Sequence, residues 1–213
     1  MKTDDLIDML STNVEAVDRR QVSRILARAV ALGALVALGA GLIVLGGRTD
    51  VGGNAALGFI VIKLIFAMTV TVLAFLYLIR LARPGEHRRG WLALVALPFA
   101  GIVGLASISL ASAPPAHWQM MFMGNEWLEC LLSIPIIAII PFALVIWATR
   151  QAAPTDLRRA GALAGLLAGS MSAAGYALHC TADSLPFVAI WYSGTILLCT
   201  LVGAVLGPRL LRW

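Results

Sequence analysis

The sequence predicts an all-α membrane protein, a bundle of six transmembrane helices that follows a short cytoplasmic amphipathic helix. Its composition is the first indication, because the chain is 60% hydrophobic and only 13% charged, whereas soluble domains carry about 25% charged residues. Six apolar segments are the second, each near the ~20 residues with which an α-helix crosses ~30 Å of hydrocarbon. The third is the distribution of the basic residues, which fall almost entirely on one side of that arrangement.

The six apolar segments occupy residues 29–46, 56–79, 91–112, 130–149, 160–179 and 186–207. Prolines inside the third and fourth segments predict kinks; they are Pro98, Pro135 and Pro141. Small residues recur every four positions in the first and fifth segments, where they let helix backbones approach closely. These are Gly33, Ala37, Gly41, Gly161, Gly165, Gly169 and Ala173. The sequence leaves open whether those of the fifth segment serve internal packing or dimerisation.

The basic residues predict the orientation of the bundle. With the N-terminus in the cytoplasm, 14 of the 16 Lys and Arg residues lie on the cytoplasmic side. Arg48 is then alone outside, and Lys63 lies within the second segment. The positive-inside rule therefore places both termini in the cytoplasm. Five aromatic residues are then expected near the outer membrane–water interface; they are Trp118, Trp127, Tyr176, Trp191 and Tyr192. The charged N-terminus lacks the apolar core of a cleavable signal peptide, so we expect the first span to be an uncleaved anchor.

Residues 1–28 form the predicted cytoplasmic domain, and residues 29–213 form the membrane domain. At about 100° per residue, one face of the N-terminal helix is apolar and the opposite face carries five carboxylates. Such a helix could lie on the membrane, although anionic lipid would repel its acidic face, or it could be a solvated leader. We favour the third alternative, docking of the apolar stripe in a partner's groove. The docking residues would be Asp4, Asp5, Leu6, Ile7, Asp8, Leu10, Val14 and Val17.

Two cysteines are the main candidates for a functional site. In this topology Cys130 opens the fourth segment and Cys180 closes the fifth, so both lie at the outer interface. Each has ionisable neighbours, and soft metal ions favour thiolate and imidazole ligands. The possible metal ligands are Cys130, Cys180, His179, Asp183, Glu126 and Glu129. The alternative is that each cysteine is a small apolar filler, as we expect for Cys199 in the sixth segment.

Lys63 is the charge that the topology places inside a span. An ionisable residue in the membrane is a functional candidate, and its expected partners are Glu126, Glu129 and Asp183. The alternative is that its amine extends outward to the interface. The sequence contains no HExxH, GxSxG or phosphate-loop motif and no intramembrane constellation of acid and base residues. We therefore expect no enzyme activity and no bound cofactor, apart from transient binding of a heavy metal.

Three stretches of the chain resemble the NrsF family. They are the opening residues 1–7 (MKTDDLI), residues 178–192 with LHC, PF and WY in order, and the ending residues 207–213 (GPRLLRW). The resemblance implies a six-span protein of a proteobacterial inner membrane that acts as an anti-sigma factor of an extracytoplasmic-function sigma factor. It also implies that the N-terminal segment binds that sigma factor, and that Cys130 and Cys180 sense heavy metals or oxidants.

The resulting hypothesis is signal transduction without catalysis and without direct nucleic-acid binding. A metal ion or oxidant would act on the outer cysteines, change the packing of the fourth and fifth segments, and release the partner from residues 1–28. One alternative is a membrane thiol–disulfide oxidoreductase coupled to quinone, although such an enzyme needs a vicinal CxxC pair that this chain lacks. Another is a small transporter, which the absence of intramembrane ligands disfavours.

Overall fold

The fold is that of a computed structural model, which describes residue 3 and residues 21–48, 54–81, 90–124 and 126–212. Within these residues every regular element is a helix. They are α1 (Gln21–Ile43), α2 (Asn54–Leu81), α3 (Gly90–Ser112), α4 (Trp118–Met123), α5 (Trp127–Arg150), α6 (Leu157–Ala177), α7 (Leu185–Phe187) and α8 (Ser193–Leu210). A 3₁₀ turn (Pro115–His117) precedes α4, and a π-helical turn (Val188–Tyr192) joins α7 to α8. The predicted N-terminal amphipathic helix falls, apart from residue 3, outside the described residues.

Helix α6 is the centre of the bundle. It packs against α1, α2, α5 and α8, and nearly every residue from Ala160 to Ala177 is buried. Its sequence is rich in alanine, glycine and serine, and it is the least hydrophobic of the long helices. Because other helices rather than lipid surround it, small side chains that permit close packing suit it better than large apolar ones.

One face of α6 lies directly against the backbone of α8. A Cβ atom added to Gly161 would clash with the carbonyl oxygen of Gly203, and one added to Gly165 would clash with that of Cys199. On Gly169, a Cβ atom would lie 3.0 Å from the Cβ of Cys199. These glycines therefore serve packing within the bundle, which answers the question that the sequence left open about them.

The other face of α6 lies equally close to α1. A Cβ atom on Gly41 would clash with the carbonyl of Gly175, and one on Gly175 would clash with the carbonyl of Ala37. The prediction that Gly33, Ala37 and Gly41 form a packing face is confirmed, since all three are buried. The C-terminal half of α1 therefore packs closely against the C-terminal end of α6.

Among the described residues, five helical segments are long and apolar enough to cross a membrane: Gln21–Ile43, Ala56–Leu81, Gly90–Ser112, Pro115–Arg150 and Leu185–Leu210. They correspond to the first, second, third, fourth and sixth predicted spans. The fifth predicted span, residues 160–179, coincides with α6, which is not among the five. The count of six spans and the cytoplasmic position of both termini therefore stay predictions. Pro98, Pro135 and Pro141 lie inside helices that continue past them.

Candidate functional site

The candidate site is built around the loop between α6 and α7, residues 178–184. Helix α6 ends after Ala177, where the N–H groups of Leu178 and His179 donate to Gly175 and Tyr176. The chain restarts as a helix at Leu185, with Pro186 in the first turn, where proline's fixed φ is favourable and its missing N–H is not needed. Between these two signals the loop carries Cys180, which is fully buried.

The two cysteines predicted as a pair lie in one buried cluster. Cys130 lies in the first turn of α5, where its N–H donates to the carbonyl of Glu126 at 2.9 Å. Both Cys130 and Cys180 are fully buried and are not in a disulfide. Burial raises the pKa of the Cys180 thiol above its ordinary value, while the nearby Lys63 ammonium opposes that shift. The two free cysteines therefore share one buried region at the same end of the bundle.

Lys63 reaches this site from α2. Its side chain is fully buried; its Nζ donates to the carbonyl oxygen of Cys180 at 3.1 Å and to Sγ of Cys180 at 3.6 Å. Oδ1 of Asp183 lies 3.6 Å from the same Nζ. Of the two alternatives for Lys63, the structure thus contains the pairing with Asp183, and a fully buried amine cannot be extending to the interface.

Arg48, which follows α1, is the residue that binds Asp183 most closely. Its Nη1 donates to Oδ1 of Asp183 at 2.8 Å, and its Nη2 donates to Oδ2 at 2.5 Å. Nη1 also lies 3.3 Å from the carbonyl oxygen of Cys180. This role of Arg48 was not predicted, although the sequence carries a signal for it: Arg48 is the one arginine that the positive-inside rule places on the outer side.

The remaining predicted ligands are bound to other groups. A carboxylate oxygen of Glu126 accepts from the backbone N–H of Thr181 at 2.9 Å, and the other accepts from the Thr181 hydroxyl. Nδ1 of His179 lies 2.9 Å from the carbonyl oxygen of Gly46, and Nε2 lies 4.0 Å from Glu129. These contacts fix the loop onto α5 and onto the end of α1.

A metal centre is not assembled in this arrangement. Among the described residues, no group of three or more His, Cys, Asp or Glu side chains is placed to hold a metal ion. The six predicted ligands surround one loop, but Asp183 and Glu126 already have close partners. Metal binding at Cys130 and Cys180 stays a prediction, and it would require these carboxylates or His179 to change partners.

Two tyrosines complete the site. Tyr176 and Tyr192 are fully buried inside the bundle, and their depth relative to the membrane stays a prediction. Their rings lie 6.0 Å apart, and the Tyr192 ring lies 6.0 Å from Nζ of Lys63. The Tyr192 hydroxyl lies against the Cys180 thiol, whereas the Tyr176 hydroxyl has no hydrogen-bond partner within the part of the chain that the structure describes. A buried hydroxyl without a partner costs about 1–3 kcal/mol, so the site contains a polar group that packing alone does not explain.

A cleft of about 410 Å³ lies against the loop. Its lining includes Glu126, Thr181 and Asp183, together with two thioethers from α4, Met120 and Met121.

Cys199 lies in a different environment. It packs against Ala138 and Ala168 in a small apolar cluster, next to the glycines of α6. The expectation that it serves packing agrees with this apolar position.

The apolar helices among the described residues, with a buried polar cluster at one end of their bundle, define the class as a helical membrane protein. Comparison with known proteins identifies the class more closely. Residues 10–213 match the family model described as "NrsF: Negative regulator of sigma F", and the chain belongs to this family. It is therefore an anti-sigma factor by family, and its class is regulatory rather than catalytic.

Two named relatives span the chain from end to end. A protein of Azospira oryzae named "Probable anti-sigma-F factor NrsF" is 35% identical over 213 residues, which is 100% of both chains. A protein of Caulobacter vibrioides named "Anti-sigma-F factor NrsF" is 36% identical over 220 residues, again 100% of both chains. No solved structure matches the chain.

Proposed function

We propose that this anti-sigma factor holds an extracytoplasmic-function sigma factor at the cytoplasmic face of a bacterial inner membrane and releases it when a heavy metal ion or an oxidant acts on Cys130 and Cys180. The sigma factor would bind residues 1–28, whose acidic and apolar faces suit a groove lined by basic residues. Neither a resident cofactor nor direct contact with nucleic acid is needed for this activity.

The observation that carries the proposal is the pairing of two free, buried thiols beside a buried ammonium. A thiol pair used only for packing would need apolar neighbours, as Cys199 has. Cys130 and Cys180 instead share their surroundings with Lys63 and with the Tyr176 hydroxyl, which has no hydrogen-bond partner among the described residues. Groups of this kind reduce stability when they are buried, so their presence together favours a function.

Either class of inducer has a defined chemistry at this pair. An oxidant that accepts two electrons would convert the two thiols into a disulfide, with the loss of two protons. A divalent soft metal ion would replace the two thiol protons and bind both sulfurs. In each case the loop that carries Cys180 would be drawn toward the start of α5, where Cys130 lies. A ligand shifts the protein only if it favours one of two arrangements, and the closed thiol pair would be the favoured one.

For the signal to reach the partner, the thiols and residues 1–28 must lie on opposite sides of the membrane. Six spans with both termini in the cytoplasm satisfy this condition, provided that α6 crosses as the fifth span. Its low hydropathy is compatible with crossing because its neighbours in the bundle shield it from lipid.

The proposal is tested by removing the thiols. We expect the double variant Cys130→Ser and Cys180→Ser to keep the sigma factor bound and to lose induction by cadmium chloride and by the thiol oxidant diamide, measured as transcription from a promoter that depends on the sigma factor. Cys199→Ser is the matched control, because it removes the third buried thiol from an apolar site, and it should respond as the wild type does. Normal induction of the double variant by both agents would contradict the thiol mechanism.

A further inference from the structure

The loop that carries Cys180 is fastened to the outer end of α1 at three points. The N–H of Arg48 donates to the carbonyl of Leu178 at 3.1 Å, and Nδ1 of His179 lies 2.9 Å from the carbonyl of Gly46. The third point is the two-bond contact between the Arg48 guanidinium and the Asp183 carboxylate, at 2.8 and 2.5 Å. The residues on both sides of Cys180 are thus joined to the segment that directly follows α1.

Helix α1 connects this loop to the opposite end of the bundle. It begins at Gln21, inside the predicted partner-binding segment 1–28, and continues without interruption to Ile43. One turn before the loop, Gly175 of α6 lies against Ala37 and Gly41 of α1 at backbone contact. A packed helix moves as a rigid body, so a displacement of its outer end is passed to its inner end.

Lys63 of α2 contacts the same loop. Its Nζ donates to the Cys180 carbonyl, which Arg48 also approaches, and it lies near the Asp183 carboxylate. Among these contacts the Arg48–Asp183 pair alone combines opposite charges with two parallel hydrogen bonds. Such a pair fixes both the distance and the relative orientation of the groups that it joins.

We infer that the Arg48–Asp183 ion pair is the coupling between the thiol site and α1, so that a change at Cys180 moves α1 and with it the N-terminal partner-binding segment. This inference rests on the proposed function. It adds that the signal leaves the thiol site through α1, and that Arg48 and Asp183 are positioning residues that transmit the change without reacting themselves. The ion pair is buried on the Arg48 side and partly exposed at Asp183, with side-chain exposures of 3% and 25%, so solvent screens it little.

The test separates reaction of the thiols from release of the partner. Full-length protein is isolated in native membranes with its sigma factor, treated with cadmium chloride or with diamide, and assayed twice. Mass spectrometry after alkylation gives the fraction of Cys130 and Cys180 that has reacted, and immunoblotting gives the fraction of sigma factor retained. In the Arg48→Gln variant we expect the thiols to react and the sigma factor to be retained at rest as in the wild type, while release falls at least fivefold.

Two further variants sharpen the result. Asp183→Asn should have the same effect as Arg48→Gln, and the double variant should be no worse than either single one, because residues that act through one contact are not additive. Asp156→Asn is the matched control: it removes another ion pair, between Asp156 and Arg159 at 3.0 Å at the start of α6, and Asn still caps the helix. Release from this control should equal that of the wild type.

Release of the sigma factor from Arg48→Gln to the wild-type extent, once its thiols have reacted, would overturn the coupling and leave the proposed function standing. Loss of the sigma factor at rest would also overturn it, because the pair would then hold the partner rather than transmit the signal. A wild-type protein whose thiols react without release would instead refute the proposed function. If the neutral variants do not accumulate in membranes, Arg48→Lys keeps the charge without the two-bond contact; it should release less than half as much as the wild type, and full release would overturn the inference.

Discussion

Two regions along α6 place a cysteine of a neighbouring segment in opposite environments. At the middle of α6, the apolar region, Cys199 of α8 packs against glycine and alanine. At the C-terminal end of α6, the polar end, Cys180 lies near Lys63, Asp183 and Tyr192, in one buried cluster with a second thiol. Close packing accounts for the first environment, whereas the second contains charges and hydroxyls that packing does not require. Because both cysteines are buried, the neighbours of a thiol, rather than its burial, distinguish a candidate functional cysteine from a structural one.

The apolar region around Cys199 should be more sensitive to added side-chain volume than the polar end is. We expect Gly165→Ala to reduce the free energy of unfolding by about 3 kcal/mol, because its Cβ atom would meet the Cys199 carbonyl and force α6 away from α8. Gly101→Ala in α3 is the control, since no atom lies within 4 Å of its added Cβ. Thermal unfolding in detergent micelles compares the two. Equal melting temperatures for both variants would contradict the close α6–α8 contact.

The polar end should respond in the opposite direction to loss of a hydroxyl. We expect Tyr176→Phe to raise the free energy of unfolding by about 1 kcal/mol, because it removes a buried hydroxyl that has no partner among the described residues. Thr195→Val in α8 removes a hydroxyl that donates to the Trp191 carbonyl at 2.8 Å, and it should lower the same free energy by about 0.5–1 kcal/mol. Thermal unfolding again supplies the measurement. A destabilised Tyr176→Phe variant would mean that the hydroxyl is hydrogen-bonded in the protein.

Much of the close packing in the apolar region was predictable from the sequence, because the small residues recur with helical periodicity. Small residues every fourth position mark a helix face that meets another backbone, and Gly161 and Gly165 do meet α8. The depth of Cys130 and Cys180 was predictable as well, because hydropathy gives the ends of the apolar segments. Depth alone then brings the two thiols to the same level of the bundle.

The direction in which a side chain points around its helix was not predictable at the outer end. Tyr176 and Tyr192 are at a depth where tyrosine commonly faces the interface, yet both face the core because α6 is surrounded on all sides. The partner of Asp183 depended on where the segment after α1 lies, which no local pattern specifies. Lys63 and Arg48 were each identified as unusual by position, but only the fold brings them to one carboxylate.

The central claim is that the thiol-bearing loop and the partner-binding segment lie on opposite faces of one membrane. It is tested most directly by labelling single cysteines, introduced in a background without native cysteines, with a membrane-impermeant maleimide. Thr181 and Gln151 are exposed residues at the two ends of α6. We expect Thr181→Cys to be labelled in intact spheroplasts, and Gln151→Cys and Lys2→Cys to be labelled only after the membrane is opened. If Thr181→Cys and Lys2→Cys were labelled from the same side, the loop and the N-terminal segment would lie on one face of the membrane, and the proposed function would fail.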